Sequence, residues 1–261
     1  MKKSSLIVGR QPVLEALYAG RPMDKILMQR NASGDTIQDI RKLARERNIP
    51  IQPVPVEKLN GITRSNHQGI IAMASLVQYH DLQQVIDFVV GGGETPLFLI
   101  LDGITDVRNI GAIARTALCC GAQALIVPDK GVGALNEDAL KSSAGALEKI
   151  QICRVNSLMK AVDELHLNGI KVFASEMTAG TFVYDINFKE PAAIVMGSED
   201  KGVYPALMKI CDGVFKIPIV GAFESLNVSV ATGMILYEAM RQRSHGPLSP
   251  GGGGYVRGNF Y

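Results

Sequence analysis

At 261 residues, with 47% hydrophobic and 20% charged side chains, the chain has the make-up of a packed protein of one large or two ordinary domains, which excludes a disordered or fibrous chain. The net charge of +2 conceals an asymmetry, because residues 1–80 hold 12 Lys/Arg against 6 Asp/Glu and the remainder 15 against 19. A basic module joined to a mildly acidic one either meets a polyanion or is an ordinary solvated surface.

The start Met1-Lys2-Lys3 is basic, but the apolar run after it is too short for a signal peptide, and no stretch approaches a membrane span. A soluble, cytoplasmic protein without membrane contact is expected. Residues 6–9 read as a strand, 12–19 as a helix and 25–29 as a strand. Residues 35–48 follow as a helix, with Ile37, Ile40, Leu43 and Ala44 at helical spacing. Prolines keep 50–56 extended, and 69–76 is a strand. These elements make a small α/β domain over residues 1–78. Residues 79–96 form a linker in which 81–90 could be one helix, broken by Gly91-Gly92-Gly93.

The second domain, 97–243, opens with a continuous apolar run at 97–101, typical of a strand buried on both faces. Similar runs recur at 124–127, 151–155, 171–174, 192–196 and 214–217. Helical patterns lie between them at 110–120, 137–147 and 158–167, and a last helix spans about 226–243. The alternation implies an α/β fold with a mainly parallel sheet covered on both faces. Residues 244–261, with four consecutive glycines, read as a flexible tail whose Tyr255, Arg257, Phe260 and Tyr261 could touch RNA. Cys119, Cys120, Cys153 and Cys211 form no C-x-x-C pair, so neither a disulfide framework nor a metal site is expected.

Three segments carry candidate chemistry. In the first, a strand ends at Asp102 and a helix begins near Asn109, which is suited to cap it. Arg115 lies two turns inside that helix among Ile, Ala and Leu, where a guanidinium calls for an internal carboxylate or a ligand phosphate. The second, Gly197-Ser-Glu199-Asp-Lys-Gly202, follows a buried strand; its glycines suit either close approach to a ligand or a tight surface turn. The third runs from Ile217-Pro through Glu-Ser225-Leu226-Asn227-Val-Ser229-Val-Ala231. Ser225 or Asn227 could cap a helix there, or two polar residues straddling a Leu could hold a small polar ligand.

Taken together, the Asn-x5-Arg segment, the Gly-Ser-Glu-x-x-Gly loop and the Ile-Pro…Glu-Ser-Leu-Asn-Val-Ser-x-Ala segment closely resemble the three signature motifs of the SpoU (TrmH-like) RNA ribose 2′-O-methyltransferases. The opening Gly9-Arg-Gln-Pro-Val-Leu-Glu-Ala-Leu17 is similar to the RNA-binding domain of the bacterial 23S ribosomal RNA guanosine-2′-O-methyltransferases. The resemblance implies a SPOUT-type catalytic domain whose C-terminal part is tied in a trefoil knot, where general topology rules would give an ordinary doubly wound sheet. It implies S-adenosylmethionine as cofactor, held by backbone around Gly197, Ile217 and Leu226. Asn109, Arg115, Glu199, Ser225 and Asn227 would form the reactive, RNA-facing group. The implied partners are RNA, as 23S ribosomal RNA or a ribosome-assembly intermediate, and a second copy in a homodimer.

Two other readings compete with this one. Gly131-Val-Gly133-Ala-Leu-Asn136 nearly matches a dinucleotide fingerprint, but its third glycine is Asn136 and no acidic residue follows about twenty residues later. A non-catalytic RNA-binding protein that kept the fold would be expected to lose part of the three motifs, and here all three are intact.

Overall fold

A computed structural model describes residues 6–133, 135–221 and 225–244. The tail beyond 244 lies outside them. The first unit comprises β1 (Leu6–Val8), α1 (Arg10–Tyr18), β2 (Met23–Gln29), α2 (Asp35–Glu46), β3 (Ile51–Val54), α3 (Val56–Ile62) and β4 (Ile70–Ala74). Its sheet has the order β1-β4-β2-β3, antiparallel except for β2–β3. The buried stripe Ile37, Ile40 and Ala44 of α2 packs with Val13, Leu14 and Leu17 of α1 against one face of this sheet. That burial leaves the opposite face of α2, with Arg41, Lys42 and Arg45 beside Asp35, Asp39 and Glu46, in solvent.

The larger sheet is built from β5 (Tyr79–His80), β6 (Leu97–Leu101), β7 (Ala124–Pro128), β8 (Gln151–Val155), β9 (Lys171–Ser175), β10 (Thr181–Phe182), β11 (Ala192–Met196) and β12 (Gly213–Lys216). The order is β10-β12-β9-β11-β6-β7-β8-β5, with every neighbouring pair parallel. Its helices are α4 (Leu82–Gly91), α5 (Val107–Cys119), α6 (Glu137–Ser143), α7 (Leu158–Leu167), α8 (Pro205–Met208) and α9 (Val228–Arg243). Alternation along a strand divides the side chains between two cores. Leu97, Leu99 and Leu101 face α5, α6 and α9, whereas Phe98 and Ile100 face α4, α7 and α8. The strand after β8 is laid beyond a vacant slot, which β11 then fills between β9 and β6.

The sequence reading departs from the structure at identifiable places. The helix expected over 137–147 stops at Ser143, because Ala144 (φ 49°) and Gly145 (φ 84°) turn left-handed before a short 3-10 turn. Helix α3 begins at Val56, the last residue of the stretch read as extended, and otherwise occupies residues 57–62, for which no element was expected. In residues 79–96, expected as a linker, the helix read over 81–90 is α4, whose Val85, Ile86 and Val89 are buried at the large sheet, while β5, paired with β8, was not expected.

Two arginines, Arg154 buried and Arg243 half-buried, tie the structure together. Arg154, on β8, is 6% exposed and stacks on the Tyr79 ring at 3.9 Å. Its Nη1 donates to the Asp24 carbonyl of the first unit at 3.0 Å, and the Tyr79 hydroxyl donates to Asp24 Oδ1 at 3.0 Å. Burial raises the Asp24 carboxyl above its ordinary range, opposed by the Ser75 and Tyr79 hydrogen bonds and the Arg154 charge. At the end of α9, the Arg243 guanidinium donates to the carbonyls of Phe188 (2.7 Å), Thr95 (2.7 Å), Pro96 (2.8 Å) and Glu190 (3.0 Å).

Candidate active site

The three polar segments all follow strands of one parallel sheet. β6 ends at Leu101, β11 at Met196 and β12 at Lys216, so the loops after them converge beyond its carboxyl edge, where such sheets leave a crevice. Asp102, just past β6, accepts from the Tyr204 backbone N–H at 2.7 Å and so fastens the loop after β11 to the end of β6.

The cap of α5 is Asp106, which accepts from the Arg108 N–H at 2.9 Å. Asn109 therefore sits inside the first turn with its amide free for other partners, which removes the capping explanation for it. Asn109 Nδ2 donates to Glu199 Oε1 at 3.2 Å, and its Oδ1 accepts from Asn227 Nδ2 at 3.1 Å. Asn227 Nδ2 also donates to Glu199 Oε1 at 2.6 Å, and the Val228 N–H reaches the same oxygen at 3.2 Å. Asn227 does cap α9, through Oδ1 to the Ser229 N–H at 3.0 Å. One carboxylate oxygen thus gathers three N–H donors from two segments remote in the chain. Oε2 has no hydrogen-bond partner among the described residues.

A cleft of about 260 Å³ opens beside this cluster, lined by Gly197, Ile217, Leu226, Ser225 and Glu199, all of them expected site residues. Its lining also includes Glu176, Met177, Lys201, Lys216 and Ile219, which the sequence reading missed. Their signal was positional: Glu176 and Met177 follow β9 at the same edge of the sheet. A second cleft of about 330 Å³ holds Asn109, Thr105 and Asp106 and shares Ser198, Glu199 and Lys201 with the first. Glu199 stands where the two meet.

Two expected residues behave differently from the reasoning that singled them out. A Cβ on Gly197 would lie 2.1 Å from the Gly202 carbonyl carbon and 2.3 Å from the Val203 nitrogen. The glycine is required by the chain's own loop, before any ligand is considered. Arg115 is exposed on α5, and no described residue forms a hydrogen bond or ion pair with it, so no internal carboxylate answers its charge. The near-fingerprint around Gly133 is structural as well. A Cβ there would meet the Thr105 carbonyl oxygen at 2.4 Å, and Asn136 caps α6.

No helix of the described residues is long and apolar enough to cross a membrane, and among them no group of His, Cys, Asp and Glu could hold a metal ion. Residues 6–80 match the model for RNA 2′-O ribose methyltransferase substrate binding, and residues 96–237 match that of the SpoU rRNA methylase family. A curated relative in Staphylococcus aureus, assigned to the TrmH family of tRNA/rRNA methyltransferases, is 36% identical over 92% of this chain and 97% of its own. One in Bacillus subtilis with the same assignment is 34% identical over 91% and 96%. Among solved structures, the SpoU methyltransferase AviRb of Streptomyces viridochromogenes in complex with the cofactor AdoMet superposes with a TM-score of 0.59 at 28% identity, covering 92% of this chain and 91% of that one. The A. aeolicus TrmH/SpoU tRNA modifying enzyme gives 0.51 at 28% identity over 62% of this chain and 82% of its own. With both of its parts matched and relatives aligned along nearly all of its length, the chain belongs to the SpoU rRNA methylase family.

Proposed function

We propose that this family member transfers a methyl group from S-adenosylmethionine to the ribose 2′-hydroxyl of a guanosine in 23S ribosomal RNA, in the cytoplasm and as a homodimer. The observation that carries the chemistry is Glu199, held through one oxygen by Asn109, Asn227 and the Val228 N–H at the divide between two clefts.

The first cleft suits the cofactor by its chemistry. Met177, Ile217, Ile219 and Leu226 offer apolar walls for a flat base, and the Glu176 and Glu199 carboxylates offer negative charge to a sulfonium and an ammonium. The AdoMet-bound state of the AviRb structure supports that assignment. When bound, S-adenosylmethionine supplies a methyl group already activated by its sulfonium. The protein's work is then to align the 2′-oxygen and to take its proton. Glu199 Oε2 is the acceptor, since Oε1 is occupied by donors that fix the carboxylate's direction. Asn109 and Asn227 position Glu199, and Ser225 at the cleft mouth faces the ribose. A guanidinium stays protonated, so Arg115 binds an RNA phosphate and stabilises developing alkoxide charge. Its exposed face of α5 adjoins exposed Leu118, and α9 alongside exposes Met234 and Tyr237. Those apolar side chains support the homodimer, with Arg115 at or near the interface. The trefoil threading belongs to the same proposal, supported by the slot that β11 fills.

Radiolabelled methyl transfer to 23S ribosomal RNA and to transfer RNA, with 2′-O-methyl mapping in cells with and without the protein, tests the assignment. Methylation of transfer RNA alone would overturn the ribosomal target. No transfer to any RNA would overturn the enzyme.

A further inference from the structure

The flank of α2 beside its core residue Ala44 forms one wall of a cleft of about 340 Å³ between the two units. Arg41 and Arg45, one helical turn apart and both exposed, stand on that wall. Asp129 and Asn156 make the opposite wall. They are the residues immediately after β7 and β8, so the cleft opens at the same carboxyl edge of the large sheet as Asn109 and Glu199. The step from β6 to β8 is two strand spacings, about 10 Å. Ile49 and Pro53 give the floor an apolar surface.

We propose that this cleft is a second RNA subsite, which holds a nucleotide flanking the methylated one. Arg41 and Arg45 take backbone phosphates, while Asn156 and Asp129 read a base edge or ribose hydroxyl. The inference rests on the RNA-methylating function proposed above and adds where a neighbouring part of the strand is held. The chemistry of the walls selects the ligand. A small free anion would gain from the two guanidinium groups but would be repelled by Asp129 across the cleft. A nucleotide presents charge on one side and a flat, hydrogen-bonding base on the other, matching cations, floor and amide–carboxylate wall in turn. The junction behind the cleft is braced, because Arg154 of β8 stacks on Tyr79 and donates to the Asp24 carbonyl. Both walls are therefore one preformed surface, and RNA bridging them is presented to the catalytic cleft at a fixed offset.

The test compares wild type, Arg41→Gln/Arg45→Gln and, as a charge-matched control at the opposite, amino edge of the large sheet, Lys149→Gln/Lys189→Gln. RNA affinity is measured across a salt series, together with single-turnover methylation at saturating RNA. Losing two phosphate contacts should weaken binding on the order of tenfold at physiological salt and lower the slope of log K against log salt by about 1.4, roughly 0.7 per contact for single-stranded RNA. The rate at saturation and the affinity for S-adenosylmethionine should stay at wild-type levels. A photo-crosslinking label on Asn156→Cys should attach to RNA in the wild-type background and lose that adduct in the double arginine variant. Unchanged affinity and slope, or no adduct from position 156 while wild type methylates RNA, would overturn the subsite alone. A wild-type protein that neither binds nor methylates RNA would bring down the proposed function with it.

Discussion

Glu199→Gln separates scaffolding from chemistry at the site. The replacement keeps an oxygen where Oε1 now accepts from Asn227 at 2.6 Å and from Asn109 and Val228 at 3.2 Å each. Bonds to a charged acceptor are about twice as strong as neutral ones, at roughly 1.5–3 against about 1 kcal/mol. Only the shortest of the three approaches the full difference, and Glu199 is exposed, so screening leaves a scaffold loss of about 1–2 kcal/mol. Expressed wholly in the transition state, that is at most roughly thirtyfold in rate. Loss of a proton acceptor costs on the order of 10²–10⁴-fold. The assay is single-turnover methylation at saturating RNA, with calorimetry for S-adenosylmethionine and thermal unfolding as controls. The expected outcome is a folded variant with cofactor affinity within a few fold of wild type and a rate reduced by at least about a hundredfold. A rate within about tenfold of wild type would refute proton acceptance by Glu199 and leave it a brace.

Arg115→Ala should unfold at the wild-type temperature yet lose on the order of 10²–10³ in methylation rate, since its exposed guanidinium has no role in the fold; rate measurements on the purified variant check this. Gly197→Ala should lower the melting temperature even without cofactor, by several degrees for about 1–3 kcal/mol of overpacking, because the added methyl meets the Gly202–Val203 backbone. Asp24→Asn tests the junction through pH. A carboxyl whose folded pKa is raised stabilises the fold below its unfolded pKa and loses that contribution as pH rises through the folded value. The variant, which cannot ionise, should therefore gain on wild type in urea unfolding as pH rises from about 4, the unfolded value, through the raised folded value, and hold a constant difference above it. Arg154→Met should speed proteolysis at residues 75–78 and lower stability by about 2 kcal/mol. It loses the stacked cation and a charged hydrogen bond but relieves the buried Nε, which has no partner among the described residues.

The large sheet was legible because a strand buried on both faces writes itself as an unbroken apolar run: 151–155 and 192–196 were read to the residue. β5 escaped because two residues, Tyr79 and His80, carry no periodicity, and only their partner β8 makes them a strand. At the site, residue types were legible and roles were not. Asp106 and Asn109 are both competent caps, and nothing local says that the earlier one caps α5 and releases the other to Glu199. Nor could spacing reveal that the space beside Gly197 is filled by residues five and six positions on. That contact is made by the return of the chain, which a linear pattern does not record.

Arg243 has a bearing on the site from the far end of the molecule. The carbonyls it grips lie just before β6 and just before β11, the strands whose opposite ends deliver Asn109 and Glu199. Helix α9, 16 residues and so about 24 Å long, leaves that anchor and delivers Asn227 to Glu199. Strands and helix are thus two legs of a caliper joined at Arg243, and the gap between its tips is the hydrogen bond from Asn227 to Glu199. Removing one residue from the middle of α9 would withdraw Asn227 by about 1.5 Å and swing it by about 100°. The length of this helix is therefore as much a condition of the contact between Asn227 and Glu199 as the side chains at its tip.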